Sequence, residues 1–428
     1  MVVLKKKLII YIFFSALIFS NISNSNQILD YETEIFLNKL LFNIKSVNKF
    51  KKEIKVHIIK DTNPNAFVIA NNKLIVSSGL LEQSPDYVSL LAVLAHEVGH
   101  LEYFHLEKRK DSLENLSKLN LLSNLALITG SVLTNNPQIL GGTIASQVNI
   151  NNFYFSFNRE QEREADLYSI KTIEKLNLSS ESIKKLLKIL EKNALSKGFN
   201  EDYQKFSTHP IFRERYEIID YNSKEKIYEF DENIQEEFNF IKVKFMAYNN
   251  NLNVGILEKD HKIYFESIIN SKSGNLKNSL KKINFLINKY PKNIFLLETK
   301  GDILRSYGFV NESIKFYKIV LNKYPDNYYI KYKIFLDTNT QNLNVNNKIN
   351  FFYNNVNLII QFPKNKYIIN KFIEIAEDLD KIYWIDFFNT INKMDKKKLE
   401  GHKGKLINLS KKTNDIKLIK IINEYKNL

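Results

Sequence analysis

The chain has 428 residues, 44% of them hydrophobic, a formal net charge of +15 and no cysteine. That length exceeds what one hydrophobic core usually serves, so two domains are expected, and the apolar content excludes a wholly disordered chain. Without cysteine there are no disulfides, no lipid-modified amino-terminal cysteine and no thiolate metal ligands.

The charge is unevenly spread. Residues 1–25 contribute three lysines and no acid, and residues 251–428 hold 31 Lys+Arg against 17 Asp+Glu, which leaves 26–250 close to neutral. Halves so different in charge are read as two domains, 26–250 and 251–428. The basic half shows no recognition motif and its lysines are scattered, so nucleic acid is not expected as a partner. A solvated lysine-rich surface is the favoured reading, with an anionic membrane touched peripherally, or an acidic partner, second.

At the amino terminus Lys5, Lys6 and Lys7 precede an apolar run over 8–20 and a polar stretch over 21–26. That order is the pattern of a secretory signal peptide over 1–25, with cleavage after Ser25. The run is short for a membrane span. An uncleaved anchor is the alternative, because no A-x-A precedes the cleavage point.

Leu37, Leu40, Leu41, Ile44 and Val47 recur at helical spacing and predict an amphipathic helix over 32–50. Residues 54–58 alternate as a half-buried strand does. Two further apolar runs, 66–70 and 74–76, flank Asn71-Asn72-Lys73 and predict a hairpin. Its outer strand is either plain scaffold or the wall of a cleft that pairs with an extended substrate backbone.

The most informative stretch is Leu91-Ala92-Val93-Leu94-Ala95-His96-Glu97-Val98-Gly99-His100. On a helix His96 and His100 point the same way, one turn apart, and each can give a nitrogen to one Zn²⁺. Glu97 stands about 100° round from His96, placed to take a proton from a water. The apolar residues ahead of the motif carry these polar groups into an interior, where they need partners and a metal supplies them. The helix is expected to continue through His105 to Arg109. His105 would then lie some 140° round from His100, so it is not counted as a ligand. Residues 119–133 are strongly apolar but interrupted, which suits a core helix or a lid better than a membrane span.

Asn158-Arg159-Glu160-Gln161-Glu162-Arg163-Glu164-Ala165-Asp166 would ordinarily be a solvated helix face, but Ala165, Leu167 and Ile170 require a buried side. Two histidines leave a zinc site short of a third protein ligand, and a carboxylate can supply it. Glu162 and Asp166 share a helix face. One could bind metal while the other orients a ligand histidine through its free N–H.

H-E-x-x-H followed by an E-x-x-A-D helix resembles the gluzincin metallopeptidases of the HtpX and CAAX-prenyl endopeptidase type. Asn65-Ala66-Phe67 through Gly79-Leu80-Leu81 is similar to that family's N-A-F…G-L-L segment. Ser207-Thr208-His209-Pro210, with Arg215 following, is similar to its S-T-H-P-x-x-x-x-R segment. The resemblance covers roughly 30–225 and implies a zincin-type fold with one Zn²⁺ per chain. By it His96, His100 and Glu162 are metal ligands and Glu97 is the catalytic acid–base. Asp166 and Arg159 take supporting positions, and Asn65, Ala66 and Phe67 belong to the substrate-binding hairpin. Asn158 departs from the serine of many relatives. His209 is left with three readings: a transition-state donor over the metal, an occluding fourth ligand, or a packing residue.

From Asn249-Asn250-Asn251, the expected linker, the character changes. Leu286-Ile287-Asn288-Lys289-Tyr290-Pro291-Lys292-Asn293 recurs 34 residues on as Val320-Leu321-Asn322-Lys323-Tyr324-Pro325-Asp326-Asn327, and more loosely as Leu358-Ile359-Ile360-Gln361-Phe362-Pro363-Lys364-Asn365. That period is the tetratricopeptide repeat's, so paired helices stacked into a solenoid are expected. The expected fold is therefore α+β and mainly helical: a zincin-type protease domain with a small hairpin sheet, then an all-α repeat solenoid.

Signal, metalloprotease and repeats in that order resemble the BepA-type periplasmic proteases. The resemblance implies a periplasmic zinc endopeptidase that cleaves unfolded or misassembled envelope polypeptides, with the repeats engaging the outer-membrane assembly machinery. The alternative is an assembly chaperone or adaptor whose protease activity is held off.

Overall fold

The computed structural model describes residues 27–69, 71–108, 157, 159–196, 213–222, 229–252, 255, 257–393 and 399–426. The expected signal peptide, the apolar stretch 119–133 and the segment containing His209 lie outside them. Among the described residues no helix is long and apolar enough to cross a membrane. The chain divides into two compact units, Met1–Lys272 and Ser273–Leu428.

In the first unit, β1 (Gln27–Ile28) leads into α1 (Tyr31–Asn48). Asp30 caps α1 by accepting from the Thr33 N–H, which satisfies one of the helix's orphan donors. Of the face predicted from the sequence, Leu37, Leu40, Leu41 and Ile44 are buried and Val47 is half-buried, and Phe36 is buried with them. Strands β2 (Lys55–Ile59), β3 (Ala66–Ile69) and β4 (Lys73–Ser77) complete a four-stranded sheet in the order β1-β2-β4-β3. β3 and β4 form the expected hairpin, with Ala66 opposite Val76. Asn71 and Asn72 turn it with φ of 63° and 52°, in the left-handed region that asparagine tolerates better than most residues. β4 pairs in parallel with β2, so β3 is left as an outer strand.

After the sheet come α2 (Ser78–Gln83), α3 (Tyr87–Glu102), α4 (Arg159–Lys175), α5 (Glu181–Ser196), α6 (Arg213–Asn222), α7 (Glu232–Tyr248) and α8 (Lys259–Lys272). α3 is the central helix. It packs on α1, α4, α5, α7 and β3, and all its residues but Val93 and Glu102 are buried. Only a helix apolar almost all round can sit there. α7 and α8 pack as a hairpin, with Phe240 against His261 and Tyr264 at 5.0 and 5.5 Å between ring centroids. That packing carries the first unit beyond the expected 250/251 linker, which falls between the two helices of the hairpin, to Lys272.

The second unit is helical throughout its described residues: α9 (Leu276–Lys289), α10 (Phe295–Ser306), α11 (Val310–Lys323), α12 (Tyr328–Asp337), α13 (Val345–Asn355), α14 (Leu358–Gln361), α15 (Lys366–Asp378), α16 (Ile382–Asn392), α17 (Leu399–Lys412) and α18 (Ile416–Lys426). The three sequence copies leave their helices in the same way. Tyr290, Tyr324 and Phe362 each donate a backbone N–H four residues back, and Asn293, Asn327 and Asn365 each donate back to that aromatic residue's carbonyl. Gly301 lets the Tyr317 ring lie against α10, since a Cβ there would stand 2.5 Å from the ring. Further on, Phe335, Phe352, Phe372, Trp384, Phe387 and Phe388 form one buried aromatic cluster.

Candidate metal centre

α3 starts with a reciprocal cap: the Asp86 side chain accepts from the Ser89 N–H, and the Ser89 hydroxyl faces the Asp86 N–H. From that fixed start His96 and His100 fall on one face, with ring centroids 4.8 Å apart and Nε2 atoms 3.0 Å apart. Glu97, between them in sequence, is 1% exposed.

α4 crosses α3 at Gly99. A Cβ at Gly99 would lie 3.1 Å from both Ala165 Cα and Tyr168 Cβ, so the glycine permits this close approach. The Ser169 hydroxyl adds a bond to the Ala92 carbonyl across the pair. The approach brings Glu162 to the histidines, its Oε2 3.4 Å from His96 Nε2 and its Oε1 3.5 Å from His100 Nε2.

These atoms fit a metal. His96, His100 and Glu162 each offer a ligand atom, all within 4.8 Å of one another. Tetrahedral coordination with bonds near 2 Å puts donors about 3.3 Å apart, close to the spacing seen. Charge agrees: Glu97, Glu162 and Asp166 are buried beside one buried guanidinium, Arg215, and a divalent cation offsets the two formal negative charges left over.

Each of these histidines is held from behind. His96 Nδ1 donates to Asp166 Oδ1 at 2.9 Å. Arg215 donates to both oxygens of Asp166, at 2.8 and 2.7 Å, and lies 3.8 Å from Glu162. Burial opposes charge on Asp166, yet the Arg215 guanidinium and His96 hold its carboxyl below the usual range. Burial likewise opposes a charged His96, but Asp166 and Glu162 push its pKa up to about 9. A metal at Nε2 therefore competes with a proton. His100 Nδ1 lies 2.9 Å from His105 Nδ1, and His105 Nε2 donates to Glu164 at 2.8 Å. Burial, against the pull of Glu164, lowers the pKa of His105.

The structure thus brings together His96, His100 and Glu162, sets Asp166 on His96, and keeps Glu97 on the same helix. Arg159 is exposed in the first turn of α4, and the guanidinium facing Asp166 belongs to Arg215. Asn65 exchanges backbone-directed bonds with Ser77 just ahead of β3, Ala66 is buried and Phe67 is partly exposed on that outer strand. His209 is outside the described residues.

The expected continuation of α3 to Arg109 is corrected. The helix stops at Glu102, capped by Tyr103, and Phe104 takes a φ of 56°. That left-handed residue turns the chain so that His105 faces back toward His100. Sequence reading also gave no role to Phe157, whose ring stacks on His100 at 3.7 Å. The only advance signals were the histidine five residues past the motif and the arginine after Ser207-Thr208-His209-Pro210.

Residues 37–223 match the sequence model of Peptidase family M48. The mitochondrial metalloendopeptidase OMA1 of Schizosaccharomyces pombe is 24% identical over 191 residues, 44% of this chain and 53% of that protein. The β-barrel assembly-enhancing protease of Yersinia pestis is 25% identical over 181 residues, 41% of this chain and 35% of that protein. Its counterpart in Escherichia coli K12 is 24% identical over 182 residues, 41% of this chain and 36% of that protein. The chain thus spans about half or less of the length of these relatives.

Proposed function

Taking residues 37–223 as a metallopeptidase domain of family M48, we propose that the protein is a zinc endopeptidase of the cell envelope acting on unfolded or misassembled polypeptides. The observation that carries this reading is the buried His96–His100–Glu162 donor triangle with Glu97 on the same helix. Zn²⁺ held there would polarise a peptide carbonyl and activate water at neutral pH. Glu97 then takes a proton from the attacking water and returns one to the leaving amine. β3 packs against α3 and is the outer strand of its sheet, so an extended substrate that pairs with it lies along the helix bearing the motif.

The amino-terminal pattern and the printed names of the bacterial relatives support a periplasmic location and a role in β-barrel assembly. The recurring helix exits support a tetratricopeptide-type solenoid in the second half, which would recruit substrate or assembly partners. Purified protein should carry one zinc. Glu97→Gln should keep it while cleavage of an unfolded substrate falls about 10²–10⁴-fold. Undiminished cleavage by that variant would remove Glu97 from its role.

A further inference from the structure

His100 and His105 meet through like atoms, Nδ1 to Nδ1 at 2.9 Å, and one must donate while the other accepts. Which does so follows from the far ends. His100 Nε2 points at His96 Nε2 and Glu162, so as a ligand it presents a lone pair and its proton sits on Nδ1. His105 Nδ1 is then the acceptor, and the His105 proton sits on Nε2, 2.8 Å from the Glu164 carboxylate. Reversing His105 would set a lone pair against a carboxylate oxygen. Glu164 therefore fixes the direction of the whole chain of bonds.

We propose that His105 and Glu164 are positioning residues that lock His100 in its metal-binding tautomer and orientation; this rests on the metal-centre reading above. The fold supports the arrangement on every side. Phe104, in the left-handed region, swings His105 back, and Lys52 holds that turn by donating to the Leu101 carbonyl at 3.1 Å and standing 3.9 Å over the Phe104 ring. Phe157 covers His100 and stands 6.0 Å from His105, while Tyr103 lies 5.8 Å from His105 with the ring planes 30° apart. His105 is fully buried, whereas the Glu164 side chain is 41% exposed. The two ligand histidines are thus held differently, His96 by a buried aspartate clamped by arginine and His100 by a second imidazole anchored at the surface.

The test is zinc affinity by competition with a chromogenic chelator, with Co²⁺ absorption spectra as a second readout. His105→Leu, which fills space but cannot accept, should weaken zinc binding about 10–100-fold and shift the Co²⁺ bands. His105→Asn, whose Oδ1 can replace the Nδ1 acceptor, should recover most of that loss. Glu164→Gln should lose less, since its anchor is partly solvated, and Glu160→Gln should match the wild type. Wild-type affinity in both His105→Leu and Glu164→Gln overturns the proposal. So does an equal loss in His105→Leu and His105→Asn that tracks the melting temperature of the apoprotein. Should His105→Leu fail to fold, wild-type affinity in Glu164→Gln alone is decisive against it. A wild-type protein that binds no zinc sinks the metal-centre reading itself, which is a separate result.

Discussion

Up to Lys272 the described residues bury charge as well as rings; from Ser273 onward they bury rings without charge. The first unit keeps His96, Glu97, His100, His105, Glu162, Asp166 and Arg215 out of water, and Glu82, Lys244 and His261 with them. The buried polar residues described in the second unit are hydroxyls and one amide: Ser279, Thr299, Ser313, Asn327, Thr340 and Thr413. Burying ions is costly unless they are paired, and it adds little stability over apolar packing. The first unit accepts that cost where chemistry needs it and supplies partners, as Asp30 and Glu32 do for Lys244 at 2.7 Å each. The second unit is held instead by ring packing, with stacked rings such as Phe372 and Phe388 at 5.2 Å.

The strongest way to test this contrast is at the centre. Glu162→Gln should reduce zinc affinity by more than the ~10–100-fold that supporting partners are worth and take cleavage to background, with Glu160→Gln near wild type. Metal analysis and a proteolysis assay on both read the difference, and equal metal loss from Glu160→Gln would mean that the wrong carboxylate has been assigned.

Next come two substitutions of similar size and opposite logic. Lys244→Met strands two largely buried carboxylates, each 13% exposed at the side chain, and should cost about 3–5 kcal/mol, much of it recovered when Asp30→Asn and Glu32→Gln are added. Phe372→Ala leaves a cavity and should cost about 3–5 kcal/mol, with zinc binding unchanged. Denaturant unfolding followed by Trp384, the chain's single tryptophan and part of the aromatic cluster, should detect the Phe372 loss directly. Failure of the added substitutions to rescue Lys244→Met would break the distinction between the units.

The smallest effect is a pH dependence. Asp415 accepts from the Trp384 indole at 2.7 Å, from Tyr353 at 2.8 Å and from the Leu418 N–H at 3.0 Å. Burial works against the carboxylate, but these bonds hold its pKa below the ordinary value. A lowered folded-state pKa means that this stabilisation is full above the unfolded value near 4 and is lost as pH falls through the folded one. Asp415→Asn should flatten that acid loss in the Trp384 signal, and an unchanged acid profile would count against the assignment.

Much of the first unit was legible because its signals are local. The H-E-x-x-H spacing, the E-x-x-A-D helix and the Asn71-Asn72 turn each lie within a few residues of what they determine. The repeat copies were legible for the same reason, as their shared helix exits show. What escaped depends on distant parts of the chain. Nothing in the periodicity after His100 shows that Phe104 turns left-handed, and Arg215 meets Asp166 only because α6 packs against α4. Glu164 read as a solvated charge because the histidine it anchors arrives from another element. The first compact unit runs on to Lys272 with Phe240 packed on α8, a contact that a composition change at Asn249 does not encode.

Gly99 works as a gauge on the bore of the site. One hydrogen atom at that position sets the separation of the helices carrying His100 and Glu162, and an added methyl would stand 3.1 Å from α4's backbone and from Tyr168. To admit it, α4 must step back by a few tenths of an ångström, which carries Glu162 away from the histidines. In chelator competition titrations Gly99→Ala is therefore expected to bind zinc more weakly than the wild type. The smallest residue in the motif thus sets how near α4, and with it Glu162, can come to the two histidines.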